Sequence, residues 1–139
     1  MLSFIVDNFP RFLEGAWITV QLAATSCVLG LLLAIPVASA RLSKLRSLSS
    51  LATAYVFFFR GTPLLAQIFL IYYGSGQFRD VLDAVGLWVL FREPWFCAVL
   101  ALALNTGAYT SEILRGAIQS IPKGEIEAAT ALGLKKSKR

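Results

Sequence analysis

Apolar residues fall in three long blocks separated by short charged stretches. From Ala16 to Ala40 there is no charged residue, a run long enough to cross about 30 Å of hydrocarbon with some tilt. Residues 1–14 carry Asp7, Arg11 and Glu14, with Phe4, Phe9, Pro10 and Phe12 between them, which predicts a short interfacial helix. Trp17 stands where an interfacial anchor belongs, and Pro36 is expected to kink the last turns. The second block, 51–73, is interrupted by Arg60-Gly61-Thr62-Pro63. A charge in mid-bilayer is costly, so the block breaks there, with Thr62 as a cap and Pro63 opening a new helix. The second crossing then covers about 63–80, either by itself or as a kinked continuation of the helix before it. Residues 75–94 hold Arg79, Asp80, Asp83, Arg92 and Glu93 around Val85–Phe91, an apolar stretch too short to span. The third crossing covers about 95–113. The pattern predicts an all-α, polytopic membrane helical bundle of three spans in one domain.

Behind the third span comes Ile121-Pro122-Lys123-Gly124-Glu125-Ile126-Glu127-Ala128-Ala129-Thr130-Ala131-Leu132-Gly133. It reads as a helix over 122–133. Pro122 suits its first turn, Glu125 and Glu127 favour its positive end, and the alanines are strong helix formers. Gly133 suits a left-handed cap. Ala128 and Ala129 leave a surface that another backbone can approach.

Composition agrees with a membrane protein. The chain has 139 residues, 57% hydrophobic and only 15% charged, against roughly 25% in soluble domains. Its mean hydropathy is +0.68. The net charge of +5 sits in membrane-flanking loops and does not point to nucleic acid. Lys and Arg number three in 41–50 and six in 115–139, against one in 1–16 and two in 75–94. The positive-inside rule therefore puts the N-terminus outside and the C-terminal helix in the cytoplasm. Ala38-Ser39-Ala40 imitates a signal-peptidase site, but the apolar block is too long and no basic region precedes it. There is no histidine, and Cys27 and Cys97 lie singly in apolar blocks, so no metal site is expected. No glycine-rich phosphate loop ending in Gly-Lys-Ser/Thr occurs, and no cofactor is expected.

Two patterns point to function. Ser26, Gly30, Ala34 and Ala38 recur every fourth residue and would form a close-packing ridge. Asn105, Tyr109 and Glu112 fall on one helical face at membrane depth. That face is a candidate translocation path for a small zwitterion, Glu112 meeting its ammonium group. The plainer alternative pairs Glu112 with Arg115, three residues on. Arg60 is a candidate gate or carboxylate partner, or else a contact for a phospholipid phosphate.

Glu127-Ala128-Ala129 followed by Gly133 resembles the cytoplasmic EAA loop of permease subunits in ABC importers. Arg60-Gly61-Thr62-Pro63-Leu64-Leu65 and the run from Asn105 to Pro122 look like the branch for polar amino acids, of the histidine/glutamine/arginine type. The resemblance implies a bacterial plasma-membrane permease that works with a second permease subunit, an ATPase subunit and a substrate-binding protein. Glu127, Ala128, Ala129 and Gly133 would then couple the path to the ATPase, and ATP hydrolysis would belong to that partner. The family pattern continues past the glycine to an isoleucine, a Leu-Pro pair and further spans. Here Gly133 is followed by Leu134 and then Lys135-Lys136-Ser137-Lys138-Arg139, so the resemblance implies a chain cut within the EAA loop, its later spans missing. Two rivals are a small membrane protein that binds or modulates an intact permease, and a membrane enzyme. The second lacks histidine, a metal cluster and any nucleophile–base pair.

Overall fold

The computed structural model describes residues 2–133, with side chains for residues 8–122 and 124–133. The basic run Lys135–Arg139 lies outside them. The described residues form seven helices and no strand. The longest are α1 (Leu2–Arg41) and α6 (Pro94–Gln119). At 1.5 Å per residue they measure about 60 and 39 Å. Both are apolar and long enough to cross a membrane.

A separate interfacial helix before the first span is not what forms. Helix α1 runs unbroken through Pro10 and Pro36. Between Glu14 and Trp17 the only helix-weakening residue is Gly15, whose carbonyl also accepts a bond from Thr19 Oγ1 at 2.8 Å. A chain entering an apolar medium keeps its backbone groups paired by remaining helical. Asp7, Arg11 and Glu14 also keep helical register, at steps of four and three.

The ridge on α1 is the core seam. Ser26, Gly30, Ala34 and Ala38 are all buried. Helix α6 brings a matching ridge that the sequence reading did not single out: Val99, Ala103, Gly107 and Ser111, again every fourth residue and all buried. The helices touch through backbone. A Cβ at Gly30 would stand 2.8 Å from Cβ and Cγ2 of Thr106 and 3.2 Å from the Ala103 carbonyl. One at Gly107 would stand 3.0 Å from Leu33 Cδ2 and 3.3 Å from the Gly30 carbonyl. Lipid tails leave little hydrophobic drive between helices, so this close van der Waals contact holds the pair.

Between them lie α2 (Arg46–Gly61), α3 (Leu64–Gln77), α4 (Arg79–Ala84) and α5 (Trp88–Phe91). Helix α2 buries Ala52 and Val56, and Tyr55 donates to the Leu104 carbonyl on α6 at 2.5 Å. The expected break falls where it should: α2 and α3 are bent by 107°. Its details differ. Pro63 is the N-cap of α3, at φ −62° and ψ 133°, not its first helical residue. Thr62, made extended by the proline after it, ends α2 and its hydroxyl does not cap α3. Helix α3 by itself, about 21 Å long, is shorter than a bilayer core, so only α2 and α3 together make a third candidate crossing. Helix α4 follows, Gly86 turns the chain at φ +72°, and Trp88 opens α5 beneath the Arg79 guanidinium, 5.3 Å from its ring.

The C-terminal helix α7 spans Lys123–Ala131. Pro122 again serves as N-cap, its ψ of 137° keeping it outside the helix. Gly133 follows with φ +70°, the left-handed backbone its position called for.

Candidate functional site

The end of α2 is where the sequence-predicted residues meet. A helix end leaves its last carbonyls without N–H partners, and in apolar surroundings each must find another donor. Here side chains from three elements supply them. Thr62 Oγ1 donates to the Phe58 carbonyl at 2.8 Å. The Phe59 carbonyl would bond to the N–H of residue 63, which is proline and has none. Two amides take its place: Gln67 Nε2 at 2.9 Å and Asn105 Nδ2 at 3.1 Å. Gln67 Nε2 also reaches the Thr62 carbonyl at 3.1 Å and Thr62 Oγ1 at 2.7 Å. Its Oε1 accepts from Asn105 Nδ2 at 3.1 Å. Tyr109 OH lies 3.5 Å from the Arg60 carbonyl.

One turn further along α6, Glu112 collects charge. One carboxylate oxygen accepts from Arg41, at the end of α1, and the other from Arg115. Arg60 Nη1 lies 3.8 Å away and its guanidinium covers the Tyr109 ring at 5.3 Å. Arg115 also donates to Gln119 at 2.5 Å. Three guanidiniums thus face one carboxylate. Arg41 and Glu112 are mostly buried, whereas Arg60 is 42% exposed. Arg41, Arg60 and Glu112, with Thr53, Val56, Phe57 and Gly61, line a cleft of about 330 Å³.

Asn105, Tyr109, Glu112 and Arg60 are therefore brought together, all against the end of α2. Each has defined partners in the structure. The Asn105 amide is committed to the helix break. Both oxygens of Glu112 are taken by arginines, Arg115 as the plainer alternative had it and Arg41 in addition. Arg60 keeps a guanidinium open to the cleft. Gln67 and Arg41 were not singled out beforehand. Gln67 could have been: it is a lone amide in the apolar run 64–73, four residues after the proline. Glu127, Ala128, Ala129 and Gly133 stand apart on α7 and its cap, exposed apart from the half-buried Ala129.

The binding-protein-dependent transport system inner membrane component family matches residues 27–139. The chain belongs to that family. It is similar to the nopaline transport system permease protein NocM of Agrobacterium fabrum, with 59% identity over 133 residues, 96% of this chain and 55% of that protein. It is 48% identical over 132 residues to the octopine transport system permease protein OccM of Rhizobium radiobacter, 95% of this chain and 54% of that one. Over 86 residues, 62% of this chain and 39% of the relative, it is 51% identical to the arginine ABC transporter permease protein ArtM of Escherichia coli. The chain spans about half the length of the two opine permeases. In three dimensions it resembles the crystal structure of an amino acid ABC transporter with histidines. The TM-score is 0.78 at 33% identity, over 99% of this chain and 59% of that one. The all-α permease fold expected from the sequence is thus the fold of the family.

Proposed function

We propose that this chain is permease sequence of an ATP-driven, binding-protein-dependent importer of polar amino acids or their derivatives. The observation that carries this reading is family membership joined to relatives named as nopaline, octopine and arginine permeases. In this reading the N-terminus is outside and α1, the α2–α3 pair and α6 cross a bacterial plasma membrane. The cleft beside α2 belongs to the translocation path. Its excess of guanidinium over carboxylate suits a substrate carboxylate, with Arg60 as the free partner. Glu112 acts as the counter-charge that keeps Arg41 and Arg115 in place. Helix α7 presents Glu127, Ala128 and Ala129 to a separate ATPase subunit, and Gly133 turns the chain back. A second permease subunit and a substrate-binding protein complete the assembly.

The test is a chimera in which this chain replaces the matching segment of NocM, co-produced with the other subunits of the nopaline system. Uptake of labelled nopaline and substrate-stimulated ATP hydrolysis are expected. A chimera that inserts and binds the ATPase subunit, yet supports neither, refutes the reading.

A further inference from the structure

The bend between α2 and α3 is specified by side chains, and one of them has no role in the path reading. Gln67 is 3% exposed, and all its polar contacts serve the break. Proline removes one N–H, and in apolar surroundings the carbonyl it would have paired must find another donor. Here the freed carbonyl of Phe59 receives two amide donors from different elements, Gln67 on α3 and Asn105 on α6. The amide that replaces the missing N–H therefore also ties the bend to α6. The next residue in α2 is Arg60, whose guanidinium overhangs the cleft. Its carbonyl and its side chain both face Tyr109 of α6. Fixing Phe59 against α6 fixes where Arg60 begins.

We propose that Gln67 is a positioning residue: with Asn105 it stands in for the N–H that Pro63 lacks, holds the 107° bend, and so sets Arg60 over the charged cleft. Its role through Arg60 rests on the transport reading; its role in the bend does not.

Spin labels at positions 48 and 73, both exposed, read the bend in the chain itself once Cys27 and Cys97 are replaced. Two helical arms of about 20 and 15 Å meeting at this bend put the labels about 20 Å apart, against about 37 Å for a straight helix. The parent should give one narrow distribution near the shorter value. Gln67→Leu should broaden it toward longer distances. Adding Pro63→Ala, which restores an N–H to the Phe59 carbonyl, should gather it near the longer value. A Gln67→Leu distribution identical to the parent's overturns the proposal. Should Gln67→Leu not fold by far-UV circular dichroism, the near-isosteric Gln67→Glu decides by the same reading.

The NocM chimera tests the link to Arg60. Gln67→Leu and Arg60→Ala should each lower uptake about tenfold, and the double variant should be no worse than the poorer single. Losses that multiply show Gln67 acting independently of Arg60 and overturn that link. A parent chimera without uptake overturns the transport reading and the link with it, while the distances still decide whether Gln67 holds the bend.

Discussion

Gly30→Ala adds one methyl group at the tightest point between α1 and α6. Its carbon would lie 2.8 Å from two carbons of Thr106 and 3.2 Å from the Ala103 carbonyl oxygen. Carbon atoms prefer about 3.5–4.0 Å, so the helices must separate by roughly 0.7–1.2 Å, losing contact along the seam. The Thr106 Cβ and the Ala103 oxygen are not flexible side-chain ends that can swing aside. Overpacking of this kind costs about 1–3 kcal/mol. Alanine's better helix propensity returns up to about 1 kcal/mol. The same substitution at Gly15 or Gly116, on the same two helices, meets nothing within 4 Å and has only the propensity gain. The expected order of stability is therefore Gly15→Ala and Gly116→Ala at or above the parent, and Gly30→Ala below both by about 2 kcal/mol. That difference corresponds to roughly thirtyfold in the unfolding equilibrium constant. Reversible unfolding of the purified chain in mixed micelles, followed by far-UV circular dichroism, measures it. If Gly30→Ala unfolds together with the two controls, backbone contact does not hold α1 against α6, and the account of the seam fails.

Glu112→Gln leaves Arg41, Arg60 and Arg115 facing a neutral amide, and Arg41 is mostly buried. A loss of about 2–4 kcal/mol in the same unfolding assay is expected, together with impaired uptake by the NocM chimera; unchanged stability would show that the arginines do not depend on Glu112. Replacing Ala128 by tryptophan should abolish capture of the ATPase subunit by the chimera without moving the unfolding curve of the chain, since Ala128 is exposed; binding at parental strength would remove α7 from the coupling reading. Cysteine placed at position 78 should react with a membrane-impermeant reagent in intact cells and one at position 45 should not, although both sites are exposed; the reverse pattern would invert the topology.

The features legible in the sequence were those written in local periodicity. The ridge of Ser26, Gly30, Ala34 and Ala38 and the strip of Asn105, Tyr109 and Glu112 follow from helical spacing alone, and both keep their faces in the structure. The interruption at Arg60-Gly61-Thr62-Pro63 was legible because charge and proline coincide in one apolar block. What stayed hidden was pairing between distant segments. Arg41 and Glu112 are 71 positions apart, and nothing in either neighbourhood names the other. The ridge on α6 was hidden differently: Val99, Ala103, Gly107 and Ser111 sit in a run rich in small apolar residues, where any register looks plausible. Helix α1 is unbroken for a simpler reason: charges spaced four and three residues apart in a helical register do not interrupt its backbone.

The bend has a consequence for how Asn105 is understood. An amide at membrane depth invites a substrate-binding role, and periodicity alone cannot separate that role from a structural one. The hydrogen-bond inventory can. Asn105 has two N–H donors on Nδ2 and one acceptor oxygen. Its donor nitrogen reaches both the Phe59 carbonyl and Gln67 Oε1, so drawing it to a ligand would leave the Phe59 carbonyl with Gln67 Nε2 alone and take from the buried Gln67 side-chain carbonyl the donor it has here. An unpaired carbonyl in apolar surroundings costs about 1–3 kcal/mol, comparable with what one new hydrogen bond to a ligand would return. The exchange gains little, which favours keeping the Asn105 nitrogen on the break. Among the described charged side chains lining the cleft, the most exposed is Arg60, 42% exposed and 3.8 Å from Glu112. Three polar residues of α6 thus divide by contact: Asn105 and Tyr109 reach carbonyls at the end of α2, Glu112 pairs with Arg41 and Arg115, and the exposed guanidinium beside them comes from α2 itself.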